Sequence, residues 1–126
     1  MGPNRILIVE DEALIRLFVA DTLEDAGFRP EEADTAAQAA SKLDAENPGF
    51  AAAIIDLGLP DKPGDVLADE TRARWPDLPI VIASGRDRNE LVHRFNGDSR
   101  IAVLGKPYTS EMLLSTLRAL GVSPEG

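Results

Sequence analysis

A chain of 126 residues has the size of one domain with a single core, and its 44% apolar content is ordinary for a globular protein. Its net charge of −9 disfavours direct nucleic-acid binding, which relies on Lys and Arg to neutralise phosphates. There is no cysteine, so disulfide and thiolate chemistry are excluded, and no apolar run is long enough to cross a bilayer.

Met1-Gly2-Pro3-Asn4-Arg5 leads straight into a strand, without the charged-then-apolar order of a signal peptide. The first strand is the run Ile6-Leu7-Ile8-Val9, which ends on Glu10-Asp11. A helix follows over about 13–26, with Ile15, Phe18, Val19, Leu23 and Ala26 on its inward stripe and Gly27 as its stop. The weakest strand, 28–33, is polar and carries Pro30, which places it at a sheet edge. Thr35 and Gln38 have the spacing of a capping box for an Ala-rich second helix, closed by Asn47-Pro48-Gly49.

The third strand, 51–55, runs into Asp56, and the loop 57–64 with two prolines and two glycines is turn-rich and exposed. A third helix covers about 65–74 and stops at Trp75-Pro76. Strand four, about 79–83, ends on Ser84. Asp87 and Glu90 are placed to cap a short helix over 88–96, thin in apolar residues, that ends at Gly97. Strand five, 100–104, runs into Gly105-Lys106-Pro107. Thr109 then caps a last helix with Leu113, Leu117 and Leu120 inward and Gly121 as terminator. Strands and helices alternating in this way predict a parallel sheet covered on both faces. The expected domain is 5–121, with 1–4 and 122–126 as tails.

In such a sheet, ligands sit at the carboxyl ends of the strands. The chain therefore sets Glu10, Asp11 and Asp56, the Ser84 hydroxyl and the Lys106 ammonium along one rim. Three converging carboxylates are unfavourable without a cation, and an all-oxygen site suits Mg²⁺. A carboxylate between a metal and a lysine can act as a nucleophile towards phosphorus. The lysine and a nearby hydroxyl would stabilise the transferred group.

The pieces Ile6-Leu7-Ile8-Val9-Glu10-Asp11-Glu12, Asp56-Leu57-Gly58-Leu59-Pro60 with Gly64, Ala83-Ser84-Gly85 and Lys106-Pro107 occur in this order and spacing. Together they resemble the receiver domain of bacterial two-component response regulators. The resemblance implies a flavodoxin-like α/β fold with five parallel strands in the order 2-1-3-4-5 and a cis bond at Lys106-Pro107. It implies Asp56 as phosphoacceptor, Lys106 as phosphoryl-binding cation and Ser84 as switch hydroxyl. It assigns Mg²⁺ to Asp11, Asp56, the Gly58 carbonyl and Glu10. It further implies a cytoplasmic protein that is loaded by a histidine kinase or phosphotransfer protein. The output would be a downstream protein contact through helix four, strand five and helix five, with no nucleic-acid or membrane contact.

The chain departs from the family pattern in three places. Glu10 stands where many receivers have Asp. Val103 stands where many carry an aromatic that moves on activation. Gly58 and Arg86 flank the expected path of the hydrolytic water, which implies slow autodephosphorylation. Ile82-Ala83-Ser84-Gly85 with the Lys106-Pro107-aromatic run also resembles an alphaproteobacterial subgroup lacking the switch aromatic, except that Arg86 stands where a hydrophobic residue is expected. Glu12 is expected to cap the first helix, His93 and Trp75 to be structural, and Glu31, Glu32 and Asp34 to form a solvated edge. The domain is expected either to stand alone or to be part of a hybrid histidine kinase. Two other readings compete: a pseudo-receiver that binds partners without phosphate, and an aspartate-nucleophile phosphohydrolase. The second lacks the acid it would need at Gly58, and a nucleotide site lacks its Gly-rich loop.

Overall fold

The computed structural model describes residues 4–46, 49–85 and 88–124. Asn47 and Pro48 as a helix stop, Arg86 over the phosphoryl path and Asp87 as a cap lie outside the described residues. The elements are β1 (Arg5–Val9), α1 (Ala13–Asp25), β2 (Arg29–Ala33), α2 (Ala36–Glu46) and β3 (Ala52–Asp56), then α3 (Gly64–Arg74), β4 (Ile80–Ser84), α4 (Arg88–Arg94), β5 (Ile101–Gly105) and α5 (Ser110–Ala119). All strand pairs are parallel, in the order β2-β1-β3-β4-β5. The Pro30 strand therefore lies at an edge, as its composition requires.

Successive strand residues point to opposite faces, and the core divides accordingly. Leu7, Val9, Ala53, Ile55, Ile80 and Ile82 meet Ala39 and Leu43 of α2, Leu67 of α3 and Leu91 of α4 on one face. Ile6, Ile8, Ala52, Ile54 and Val81 meet Val19 and Leu23 of α1 and Leu113 and Leu117 of α5 on the other. The three inner strands are buried along nearly their whole length, which is why they read as uninterrupted apolar runs.

The helix ends explain most of the boundaries. Thr109 accepts a hydrogen bond from the Met112 N–H, the expected N-cap of α5. Thr35 accepts from the Gln38 N–H, but the Gln38 side chain accepts from Asp34 rather than from Thr35. Asp61, from the loop after β3, accepts from the N–H groups of both Ala36 and Ala37, so one carboxylate closes the start of α2 from 24 and 25 residues away. Gly27 (φ 98°) and Gly121 (φ 82°) take the left-handed conformation that ends α1 and α5.

Several expected boundaries shift. β3, β4 and β5 each lie one residue later than the apolar runs suggest, because Asp56 still pairs with Ala83, and Ser84 with Gly105. Backbone ladder bonds do not depend on side-chain polarity, so the strands extend through their polar ends. β2 starts at Arg29, since the Phe28 N–H donates to Leu23 of the preceding helix turn. α1 ends at Asp25, α3 begins at Gly64, and α4 ends at Arg94, with turns filling the chain to Gly97.

In α1 the inward stripe is Val19, Ala20, Thr22 and Leu23, whereas Phe18 is 39% exposed. Glu12 occupies the N-cap of α1 but makes no side-chain cap bond, in keeping with a side chain longer than those that cap well. Its backbone N–H instead donates to Glu10 Oε2. The expected solvated edge is paired: Glu31 meets Arg5 and Lys42, and Glu32 meets Arg16. His93 is exposed, and Trp75 packs against the α2–α3 side of the core under the Arg74 guanidinium. Val122, placed by the sequence in a tail, is buried beside α5.

Candidate functional site

β1 delivers Glu10 and Asp11 just past Val9, and β3 delivers Asp56 as its last residue. β1 and β3 are hydrogen-bonded neighbours, with Val9 opposite Ile55. The carboxylates of Glu10, Asp11 and Asp56 consequently offer oxygens that all lie within 4.8 Å of one another. Glu10 and Asp56 are buried, while Asp11 is exposed at the rim. Arg16, one turn into α1, donates to the Glu10 carbonyl at 2.8 Å and fixes the turn that aims Glu10 into the site.

Lys106 enters from the end of β5. Its ammonium pairs with Asp56 Oδ1 and stands 3.3 Å from Glu10 Oε1. The other oxygen of Asp56, Oδ2, accepts from the Gly58 N–H at 3.0 Å. Ser84 is buried at the end of β4, and its carbonyl accepts from the Lys106 N–H at 2.8 Å. The Lys106–Pro107 peptide is cis, as the resemblance implied. Glu12, Asp56, Leu57, Gly58, Ser84, Gly85 and Lys106 line an open cleft of about 380 Å³. The sequence predicts Glu12 only as a cap; its place beside the Glu10-Asp11 pair is the one local signal that it also belongs to the cleft wall.

The electrostatics follow from this crowding. Burial pushes the Glu10 carboxyl up, and the Asp56 charge adds to it; the Glu12 N–H and Lys106 offset only part of the rise. Burial works to lower Lys106, but the ion pairs with Asp56 and Glu10 outweigh it and leave the ammonium raised. One lysine thus serves two carboxylates. Lys106→Met would leave both without it, and losing one partner of a buried ion pair costs about 3–5 kcal/mol. The 20% exposure of Lys106 places the expected loss at the low end, about 3 kcal/mol in a urea titration, partly restored by adding Mg²⁺. An unchanged midpoint would mean that Lys106 does not compensate the cluster.

The donor set is all oxygen, it is clustered, and Glu10, one of its two buried members, is held at a raised pKa. That set fits a hard divalent cation such as Mg²⁺, which accepts a few carboxylates and keeps several waters.

Beside the cleft, the rings of Phe18 and Tyr108 pack at 6.2 Å between centroids, tilted by 48°. With Ile15, Lys106 and Pro107 they line a mainly apolar groove of about 370 Å³. Tyr108 is the chain's single tyrosine, and burial, aided by Glu10 and Asp56 and opposed by Lys106, pushes its phenol up to about 12. An ultraviolet titration of tyrosinate should therefore have its midpoint near 12. The unfolded chain ionises first, from about pH 10, so stability should fall as pH rises across this window. A midpoint at the ordinary phenol value would place the ring in water.

A parallel 2-1-3-4-5 sheet with an acidic rim opposed by one lysine is the arrangement of a receiver domain. The family described as "Response regulator receiver domain" matches residues 6–118, and the chain belongs to it. Phosphorylation and Mg²⁺ binding at an acidic pocket are typical of that family. Among its relatives is the transcriptional regulatory protein PhoP of Escherichia coli K12, 32% identical over 120 residues. That match covers 92% of this chain and 51% of PhoP, so the chain spans about half the length of the curated relatives it matches.

Among solved structures, a sensor protein from Polaromonas sp. JS666 is 36% identical with a TM-score of 0.78, over 93% of this chain and 95% of the other. The chemotaxis protein CheY4 of Vibrio cholerae is 26% identical with a TM-score of 0.83, over 94% and 99%. Among the described residues, no helix is long and apolar enough to cross a membrane.

Proposed function

We propose that this receiver domain takes a phosphoryl group on Asp56 in a Mg²⁺-dependent reaction and, so loaded, changes the proteins it binds. The observation that carries this reading is the state of the Asp56 carboxylate. It is buried at the cleft floor, tethered by the Gly58 N–H through one oxygen and paired with Lys106 through the other, within a cluster of three acids. A carboxylate fixed in this way is a positioned nucleophile.

An Asp56 oxygen would form the new O–P bond while the P–N bond to a donor histidine, or the P–O bond of a small acyl phosphate, breaks with its electron pair leaving on the donor. The Lys106 ammonium would follow the charge onto the phosphoryl oxygens, and the Ser84 hydroxyl, at the adjacent strand end, would hydrogen-bond to one of them. Asp11, Glu10, Asp56 and the Gly58 carbonyl would hold the metal, which would supply charge neutralisation for the same oxygens.

The donor is a histidine kinase or phosphotransfer protein in this reading. Leu14, Leu17 and Phe18 are 82%, 55% and 39% exposed on the α1 face beside the cleft. With the Phe18–Tyr108 groove they give a donor an apolar surface next to the acceptor. The output face is α4, β5 and α5, where Val92 and Met112 are exposed. The functional unit runs from residue 5 through the buried Val122, standing alone or within a larger chain.

Acetyl phosphate and Mg²⁺ test the reaction directly. Intact mass should show one added phosphoryl group, and EDTA added beforehand should abolish it; no adduct under either condition would overturn the proposal. The adduct should also be long-lived. A Cβ on Gly58 would lie 3.5 Å from Asp56 Oδ2, so the glycine offers no side chain at this point beside the acceptor to direct water at it. A lifetime of seconds would contradict this, and Gly58→Asn is expected to shorten it.

A further inference from the structure

β5 carries Val103, a small side chain, at the middle of the strand, packed against the face of the core that holds Leu91 of α4. A groove of about 470 Å³ opens there, walled by Arg88, Val103, Leu104, Thr109, Glu111 and Met112. Arg88, the first residue of α4, lays its stem across the backbone of Gly105: a Cβ added to Gly105 would lie 3.2 Å from Arg88 Cδ and 3.7 Å from Nε. Gly105 is the ladder partner of Ser84, and the next residue, Lys106, donates its N–H to the Ser84 carbonyl at 2.8 Å. The Arg88 stem therefore rests on the stretch of backbone that joins two residues of the acceptor cleft. The chain also returns from Ser84 to Arg88 across only three intervening residues. A movement of Ser84 relative to Gly105 consequently acts on Arg88 from both sides.

We propose that Arg88 is the positioning residue that conveys the state of the Asp56 cleft to the α4–α5 groove, its stem shifting along Gly105 when the phosphoryl group engages Ser84. The inference rests on the phosphoacceptor reading of Asp56. Glycine at 105 is part of the device, because any side chain there would displace the stem. The hydrocarbon portion of Arg88 carries the contact, since the atoms nearest Gly105 are Cδ and Nε rather than the guanidinium tip.

The test uses beryllium fluoride with Mg²⁺ as a stable phosphoryl mimic on wild type, Arg88→Ala, Arg88→Met and Gly105→Ala. Fluorine NMR reads occupancy of the cleft, and backbone amide shifts of Met112, Ser115 and Thr116 read the groove. All four proteins should bind the mimic. The amide shifts on loading should fall by half or more in Arg88→Ala and Gly105→Ala, and Arg88→Met, which keeps the stem, should retain them. Full occupancy with wild-type amide shifts in Arg88→Ala would overturn the role of Arg88 while leaving the acceptor reading intact. Equal loss in Arg88→Ala and Arg88→Met would also overturn it, by removing the stem as the carrier. No bound mimic on wild type would overturn the acceptor reading and this inference together.

Discussion

Asp56→Asn should take up no phosphoryl group from acetyl phosphate and Mg²⁺ under conditions where wild type takes one. The substitution keeps the size of the side chain, and its amide oxygen can still accept from the Gly58 N–H that holds Asp56 Oδ2 at 3.0 Å. What it removes is the nucleophilic charge and one of three carboxylates whose oxygens lie within 4.8 Å. The fold should tolerate this. Lys106 keeps Glu10 at 3.3 Å, and Glu10 loses a like charge that helps to raise its pKa. Unfolding stability within about 1 kcal/mol of wild type is expected, so lost uptake could not be attributed to lost structure. Uptake at the wild-type level by Asp56→Asn would place the acceptor elsewhere.

Gly64→Ala should be the most destabilising single methyl addition among the described glycines. A Cβ at 64 would stand 2.1 Å from the Asp56 carbonyl oxygen and 2.8 Å from both Asp56 C and Leu57 Cα. These are backbone atoms of the strand end that presents the acceptor, and Gly64 is bound to that segment through its own N–H to the Leu57 carbonyl at 2.8 Å. No rotamer change can relieve such a contact; either α3 moves away or the end of β3 moves. Overpacking that forces backbone shifts costs roughly 1–3 kcal/mol and sometimes more, so about 3 kcal/mol is expected from urea unfolding. Phosphoryl uptake should also slow, because Asp56 shifts with its carbonyl. Gly97→Ala is the control: nothing lies within 4 Å of its Cβ, and its unfolding midpoint should stay close to wild type. A Gly64→Ala protein as stable as that control would contradict the packing described for the β3–α3 turn.

What the sequence made legible follows from the physics of each signal. The buried strands appeared as apolar runs because both faces of the sheet are covered, and the Pro30 strand appeared as an edge because Pro cannot donate to a ladder. Their ends were misplaced by one residue at β3, β4 and β5, since Asp56, Ser84 and Gly105 pair through backbone groups that side-chain hydropathy does not report. Glu10, Asp11, Asp56 and Lys106 were brought together as the strand order required. The local cap at Thr109 was readable from neighbours three residues apart, whereas Asp61 closing the start of α2 was not. Phe18 was placed inward by its spacing, but the face of α1 is fixed by Val19 and Leu23 against β1 and α5, leaving Phe18 to meet Tyr108 at the groove. The pairing of Arg94 with Asp65 and Asp69, which ties the thin α4 to α3, lay equally beyond any local pattern.

The position of the phosphoryl group is the most direct test of the central claim. Wild-type protein loaded with acetyl phosphate and Mg²⁺ would be reduced with borohydride, which converts an acyl phosphate to the corresponding alcohol, and then digested and mapped by mass spectrometry. Homoserine at position 56, and at no other acidic residue, is the predicted result. Homoserine at Asp11, 2-amino-5-hydroxypentanoate at Glu10, or a phosphoryl group retained on a serine or threonine after reduction, would contradict it.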